Sequence, residues 1–337
     1  MSSSKSARQP GTEERPLHVG VIGAGVMGSN HARVFAGLPG ISKVGVVDPL
    51  PENRARVSKM ADCVTYETVE QLLDTGVEAV TIAAPTHLHR DIALACIERK
   101  IHVLVEKPIA TTTEEGHEIV NAARKAGVTL MVGHVERFNP AVAAIKEAIK
   151  GEEILSIGIT RVGPFPPRMS NVGVVIDLAV HDIDLIRWFT ESDIVDVQPQ
   201  LARAVAERED IALLQFRTAS GVLAHINTNW LTPFKARSVT VATRQKYVQG
   251  DLLTRQVTEC FGFQPDGSYS MRHLSVGHDE PLRAELQAFI RAVRTGGVPA
   301  VTGEEGVGSL EIAIRCLEAP PTTIASVERK GPRRVAS

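Results

Sequence analysis

The segment IDLAVHDIDLIRWF, residues 176–189, sets one histidine and three aspartates in an otherwise apolar, helix-forming run. At 3.6 residues per turn, Asp177, His181 and Asp184 fall at i, i+4 and i+7, one stripe along one helix face. An imidazole between two carboxylates serves an acid/base step, a metal, or a satisfied buried polar network, and the segment alone does not choose among them. Lys107 is the second chemical candidate. It leaves the apolar run HVLVEKP (102–108), where an ammonium is costly unless it meets a ligand or a partner. A Lys-Pro bond there admits the cis form, which would aim the lysine sideways into a cleft. The alternative is a surface pair with Glu106.

A third feature is built for phosphate. Gly23, Gly25 and Gly28 form GxGxxG directly after the β-branched run LHVGVIGAG and at the start of the helical VMGSNHARVFAGL. Asp48 ends the next strand, 20 residues after Gly28. In that context the first glycine permits a tight turn, the second a close approach of diphosphate, and the third close packing of the helix. Val26 and Met27 then offer free N–H groups to the diphosphate. Asp48 accepts from an adenosine ribose and repels a 2′-phosphate, so NAD is favoured over NADP; Arg54 nearby softens that preference.

These residues need a frame, and the first half supplies one. KVGVVD (43–48), AVTIAAP (79–85), HVLVEKP and TLMVGHVERF (129–138) are strand-like, and helical segments alternate with them. Near-continuous apolar strands joined by helices give a doubly wound parallel α/β sheet of Rossmann type. Ligands bind at the carboxyl ends of such strands, so Pro85, Thr86, His89 and Glu106 join the cofactor set. His87 and His89 form H-x-H without an acidic or cysteine partner nearby, and no metal site is expected.

After AVAAIKEAIKG (141–151) the rhythm changes. Segments 154–163, 193–205, 210–231 and 237–250 are long β-like runs, with a hairpin turn at Ser220-Gly221. They predict an α+β domain with a large mixed or antiparallel sheet, the 174–189 helix packed on it, and two closing helices at 281–295 and 305–318. The expected organisation is a leader over 1–16, a nucleotide-binding domain over 17–138, a substrate and oligomerisation domain over 139–319, and a tail over 320–337. An open sheet face predicts a homodimer or homotetramer.

Bulk composition limits the partners. At 337 residues the chain suits two domains, and 43% hydrophobic with 23% charged residues describes a globular protein. A net charge of -2 supplies no field for nucleic acid or an acidic membrane, and no apolar run approaches a membrane span. Cys63, Cys96, Cys260 and Cys316 show no CxxC spacing, which fits reduced thiols in the cytoplasm. Residues 1–16 lack the apolar stretch of a secretory signal.

Taken in order, GxGxxG at 23–28, P-x-x-x-H at 85–89, EKP at 106–108 and the Asp177, His181, Asp184 stripe resemble the glucose-fructose oxidoreductase, inositol dehydrogenase and MocA family of NAD(P)-dependent sugar dehydrogenases. The resemblance runs from about 17 to 319. It implies that Lys107, Asp177 and His181 are the catalytic set; Ala179 stands where many members have glycine. GHVERFNPAV (133–142), 161–184 and TNWLTPFKAR (228–237) resemble the branch that acts on UDP-N-acetylglucosamine. That implies a UDP-amino-sugar substrate oxidised at C3, with an aminotransferase as a possible consumer of the 3-oxo product. Arg137, Arg161, Arg168, Lys235 and Arg237 then supply cations for the diphosphate. Trp230 or Phe165 offers a face to uracil, Asn139 lines the site, and Asp184 supports it. TRQKYVQGDLL (243–253) departs from the Gly-rich turn expected there.

In the mechanism this implies, His181 is the base, Asp177 orients it from one turn back, and Lys107 stabilises developing alkoxide charge. Other sugar, inositol or UDP-sugar-acid dehydrogenases are the alternative within the family. A non-catalytic NAD-binding regulator is the alternative outside it.

Overall fold

A computed structural model describes residues 15–166 and 172–324. Most of the expected leader, most of the tail and Arg168 lie outside the described residues. The first half alternates β1 (Leu17–Ile22), α1 (Val26–Ala36), β2 (Ile41–Val47), α2 (Pro51–Ser58), β3 (Val64–Tyr66), α3 (Val69–Leu73), β4 (Ala79–Ile82), α4 (His89–Glu98), β5 (His102–Glu106), α5 (Thr113–Ala126) and β6 (Leu130–Gly133). The strands form one parallel sheet in the order β3-β2-β1-β4-β5-β6. Chain order reverses between β1 and β4, which places a crevice at the carboxyl ends of these strands. Val19, Val21, Val46, Val80, Ile82, Val103 and Val105 are sealed in the core, as a sheet covered on both faces requires.

The second half opens with α6 (Pro140–Ala148), held by an Asn139 side-chain cap and Pro140 in its first turn. β7 (Ile154–Pro164) follows, then a π-turn over Val175–Ala179 that runs into α7 (Val180–Thr190). Next come β8 (Ile194–Arg203), β9 (Ile211–Thr218), β10 (Leu223–Asn229), β11 (Leu231–Thr243), β12 (Lys246–Asp251), β13 (Gln256–Phe261) and β14 (Ser270–Leu274). The chain closes with α8 (Pro281–Thr295), α9 (Gly303–Leu317) and a short β15 (Thr322–Thr323).

The nine-stranded sheet runs β14-β13-β12-β11-β7-β10-β9-β8-β15. It is mixed, because β10 pairs with β7 in parallel while the neighbouring ladders are antiparallel. Along β9 alternate residues are buried, leaving Leu213 exposed on the outer face, and β10 does the same with Leu223. The turn at 244–245 needs no glycine. Thr243 Oγ1 accepts from the N–H groups of Gln245 and Lys246 and closes it.

Two features differ from the sequence reading. β13 and β14 extend the sheet beyond the four expected runs, since QVTECF and SMRHL are short and partly exposed and carry little periodic signal. The closing helices also do not belong wholly to the second half. Leu282, Leu286, Phe289 and Ile290 of α8 pack into the core of the nucleotide-binding sheet. α9 divides its stripe: Val307 and Leu310 face that first core, while Ile312, Ala313 and Cys316 face the second. Helical periodicity tells that a face is buried but not which sheet covers it. No described helix is long and apolar enough to cross a membrane.

Candidate active site

The crevice begins where β1 ends. Gly23 has φ +96, and a Cβ there would lie 2.7 Å from Ala83 O, so only glycine makes this turn. At Gly25 a Cβ would meet nothing within 4 Å, leaving open space beside the start of α1. Gly25 caps that helix without a side-chain bond, and its first turn carries no acid. Val26 and Met27 are exposed. Their N–H groups are among the unsatisfied donors of a helix start, the arrangement a diphosphate takes. Asp48 closes the far side: Oδ2 accepts from Ala24 N at 2.8 Å, and Oδ1 from Leu50 N at 2.9 Å and Asn53 Nδ2 at 3.1 Å. The carboxylate is thereby fixed at the tip of β2, where an adenosine ribose would sit. Arg54 is turned to the carbonyls of Asp48 and Pro49. These residues fit NAD.

Gly28 gives this half a direct test. A Cβ there would stand 1.7 Å from Gly23 O, a backbone atom that cannot swing aside. Gly28→Ala is expected to push α1 off the loop, cost about 1–3 kcal/mol of stability and weaken NADH binding. Urea unfolding and a fluorescence titration with NADH check both. An unchanged NADH affinity would remove the phosphate-binding role from this loop.

The neighbouring strand ends are less uniform. Pro85 caps a short 3-10 turn that Thr86 begins after β4; Pro85 is exposed and Thr86 half-buried. His89 is buried, with Nδ1 3.0 Å from Pro108 O and Nε2 2.9 Å from Ala84 O. It ties two loops together instead of presenting a ring nitrogen to a cofactor. Burial lowers its pKa, so the neutral ring has one N–H to give and donates to one carbonyl at a time. Glu106 also turns inward, its Oε1 2.9 Å from His31 Nε2. Both departures from the expected cofactor set have one cause. A strand-end position fixes the Cα near the crevice, while the side chain takes the nearest partner.

Lys107 leads out of β5 through a cis peptide bond to Pro108. Its ammonium does not pair with Glu106. Nζ donates instead to Asp177 O at 2.7 Å and Oδ1 at 3.4 Å, joining the two halves of the molecule. The chain around Asp177 is the π-turn, whose wider i→i+5 bonding interrupts the regular ladder. A side chain bonding into the ladder is a known cause of such a break, and Lys107 supplies it. This corrects the uniform stripe drawn for residues 176–189. Asp177 faces Lys107, and no hydrogen bond joins it to His181.

His181 stands in the first turn of α7. The residue keeps some exposure, while its Nδ1 is sealed and without a partner among the described residues. Burial, then the positive charges of Lys107, Arg161 and Arg237, hold its pKa well below 6.5. The ring is therefore a neutral imidazole at neutral pH, able to accept a proton. His134, just after β6, packs edge-on against it with ring centroids 6.1 Å apart. Its Nδ1 lies 3.9 Å from Asp184 Oδ2. His134 was not among the residues expected in the site; the signal it carries in the sequence is the strand-end position it shares with Lys107.

Beneath the histidines lies a buried ionic cluster that the sequence assigned otherwise. Arg161 donates through Nε and Nη2 to Asp182 and through Nη1 to Glu136, at 2.7–3.0 Å. Arg137 holds both oxygens of Asp184 at 2.7 Å and reaches Glu305 at 2.8 Å. Asn139 caps α6 and donates to Glu136 Oε2 and Leu252 O. Arg137 and Arg161 were expected to meet substrate phosphates and Asn139 to line the site; all three are buried and committed to protein partners. Asp184 is likewise held inside, by Arg137 and Ser309. Asp182 and Glu136, which complete the cluster, were not singled out, because nothing local in a sequence pairs Arg161 with a helix 21 residues later.

Of the remaining expected substrate residues, Trp230 is 3% exposed and stacks edge-to-face on Phe165, an internal contact that hides its ring. Arg237 bonds Glu136 at 3.0 Å and keeps a third of its side chain exposed, and Lys235 is exposed. These two are the expected cations that remain open among the described residues.

Comparison with known proteins places this geometry. A model described as "Oxidoreductase family, NAD-binding Rossmann fold" matches residues 17–134, and one described as "GFO/IDH/MocA C-terminal domain" matches residues 161–248. The chain is 30% identical over 281 residues to UDP-N-acetylglucosamine 3-dehydrogenase of Acidithiobacillus ferrooxidans, covering 82% of this chain and 88% of the relative. It is also 30% identical over 341 residues to inositol 2-dehydrogenase of Rubrobacter xylanophilus, covering 96% and 94%. A solved structure of the Acidithiobacillus enzyme superposes with a TM-score of 0.81 at 26% identity, over 89% of this chain and 96% of that one.

Proposed function

Given that the chain belongs to the GFO/IDH/MocA family of NAD-binding oxidoreductases, we propose that it oxidises the C3 hydroxyl of UDP-N-acetylglucosamine to the 3-oxo nucleotide sugar. One observation carries the dehydrogenase chemistry: Lys107 from the nucleotide sheet meets the Asp177 turn of the second half, within electrostatic reach of His181. Bound NAD supplies the hydride acceptor. The alcohol loses a hydride from carbon and a proton from oxygen, and this chain's own groups handle the proton. Neutral His181 accepts it, and the Lys107 ammonium stabilises negative charge as it grows on that oxygen. Asp177 acts through Lys107, holding the ammonium with its carbonyl and carboxylate. The His134 edge keeps the His181 ring in place.

The nucleotide part of the substrate would be met by Arg237 and Lys235, the cations left open at this end of the sheet. The likeness to the Acidithiobacillus enzyme supports this reading. A polyol substrate is the second reading. It is favoured by the equal identity to inositol 2-dehydrogenase and by the enclosure of Arg137 and Arg161, which reduces the charge available to a diphosphate. NADH release measured across UDP-N-acetylglucosamine, UDP-N-acetylglucosaminuronic acid and myo-inositol separates the two. UDP-N-acetylglucosamine is expected to give the highest kcat/KM, with deuterium loss from C3 and a product lighter by two hydrogens. Turnover of myo-inositol alone would overturn the nucleotide-sugar assignment and leave the mechanism standing.

The depressed pKa of His181 has a kinetic signature. Its folded value lies below the unfolded one, so the base form persists as pH falls through 6.5. The acid limb of kcat/KM is expected below that pH, and the His181 contribution to stability is expected to decline over the same acidic range. A limb centred at or above 6.5 would remove His181 as the base.

A further inference from the structure

Three side chains outside the proton-handling set converge behind the glycine loop. His31 comes from α1, Glu106 ends β5, and Glu285 lies on α8. One nitrogen or oxygen atom of each falls within 4.8 Å of the others, and all three residues are buried. His31 Nε2 stands 2.9 Å from Glu106 Oε1. Both oxygens of Glu285 lack a hydrogen-bond partner among the described residues, as does His31 Nδ1.

The other buried acids show how unusual this is. Asp182 and Glu136 take Arg161, Asp184 takes Arg137, and Glu259 takes Lys246 and Arg272. Asp210 accepts three backbone N–H groups, from Ala204, Val205 and Ala206. Glu285 is fully buried with neither kind of partner, and Glu106 beside it has the imidazole of His31 on one oxygen and, at 3.3 Å, the backbone N–H of Lys107 on the other, with no cationic lysine or arginine. A buried carboxylate in that state is costly unless something neutralises it.

We propose that His31, Glu106 and Glu285 form a buried site for a divalent transition-metal ion. One imidazole and two carboxylates suit Zn2+ or Mn2+, and two carboxylate charges balance the ion without help from a lysine or arginine. Metal-to-ligand distances of about 2.0–2.2 Å set neighbouring donor atoms a few ångströms apart. A small closing movement of Glu285 therefore completes the set. The ion is structural. It joins α1, β5 and α8, and it fixes the residue immediately before Lys107 while taking no part in hydride transfer. Because the site is sealed, loading accompanies folding.

The test uses the full-length, untagged chain, refolded separately with Zn2+, Mn2+ or Co2+, then dialysed and analysed for metal by mass spectrometry. About one ion per chain is expected with at least one of these metals, together with a raised Tm relative to refolding with chelator. Glu285→Gln is expected to fold and lose the ion. Wild-type protein that stays metal-free in all three arms overturns the proposal and leaves a proton as the neutralising group. A Glu285→Gln variant that retains one ion also overturns it, by placing the metal elsewhere. Should that variant not fold, X-ray absorption of the wild-type protein decides: imidazole and carboxylate ligands support the site, and sulfur ligands overturn it.

Discussion

Lys107→Ala is expected to lower kcat by about 10²–10⁴-fold while NADH binding stays near the wild-type value. The ammonium contacts Asp177, and in the proposed mechanism it also meets the substrate oxygen, whereas no glycine-loop residue is bonded to it. His181→Ala is expected to cost a similar factor, because the alcohol proton then has no neutral imidazole to receive it. The two losses should not multiply. Each group acts on the same oxygen in the same step, so the double variant is expected to lie close to the worse single one. Steady-state kinetics with a fluorescence titration of NADH measures all three variants. Near wild-type turnover in Lys107→Ala would end the account of the site, since that residue is what joins its two halves.

The second large effect is on stability. Arg161→Met removes the guanidinium between Asp182 and Glu136 and leaves the two buried carboxylates with one paired cation, Arg237, which reaches only Glu136. Breaking a buried ion pair in this way costs about 3–5 kcal/mol, because an uncompensated charge is left inside. The pH dependence identifies the cause. In the wild-type protein Arg161 and Arg237 hold Glu136 below its ordinary value despite burial, whereas burial raises Asp182 in spite of Arg161. Without Arg161 both pKa values rise above the unfolded ones. The folded variant then binds more protons than the unfolded chain, and stability is lost as pH increases through the folded values. The deficit against wild type should therefore be smaller at pH 5 than at pH 7 in urea unfolding. A deficit under about 1 kcal/mol would show that the cluster contributes little net energy.

The cluster also explains an asymmetry between the two substrate readings. A guanidinium matches a carboxylate and a phosphate equally well, so residue type alone does not tell an arginine that meets substrate phosphate from one that meets an internal acid. Arg137 and Arg161 are instead spent on internal acids. Under the nucleotide-sugar reading, Arg237 and Lys235 on β11 are the expected cations left, among the described residues, to meet the diphosphate.

Much of the molecule was legible without coordinates. The β-branched runs, the glycines at 23, 25 and 28, and Asp48 determined a nucleotide-binding sheet, because turn geometry and strand-end position are local consequences of residue type. The change from helix-separated strands to long β runs near residue 150 determined a second, sheet-rich half for the same reason. What tertiary structure alone decided was the choice of partner. Lys107 turned to Asp177 and not to Glu106, Arg161 to Asp182, Glu106 to His31, and α8 to the first core instead of the second. Charge and hydrophobicity are properties a residue carries with it, but an ion pair or a packed face is a distance between residues far apart in the chain. Only the folded path sets that distance.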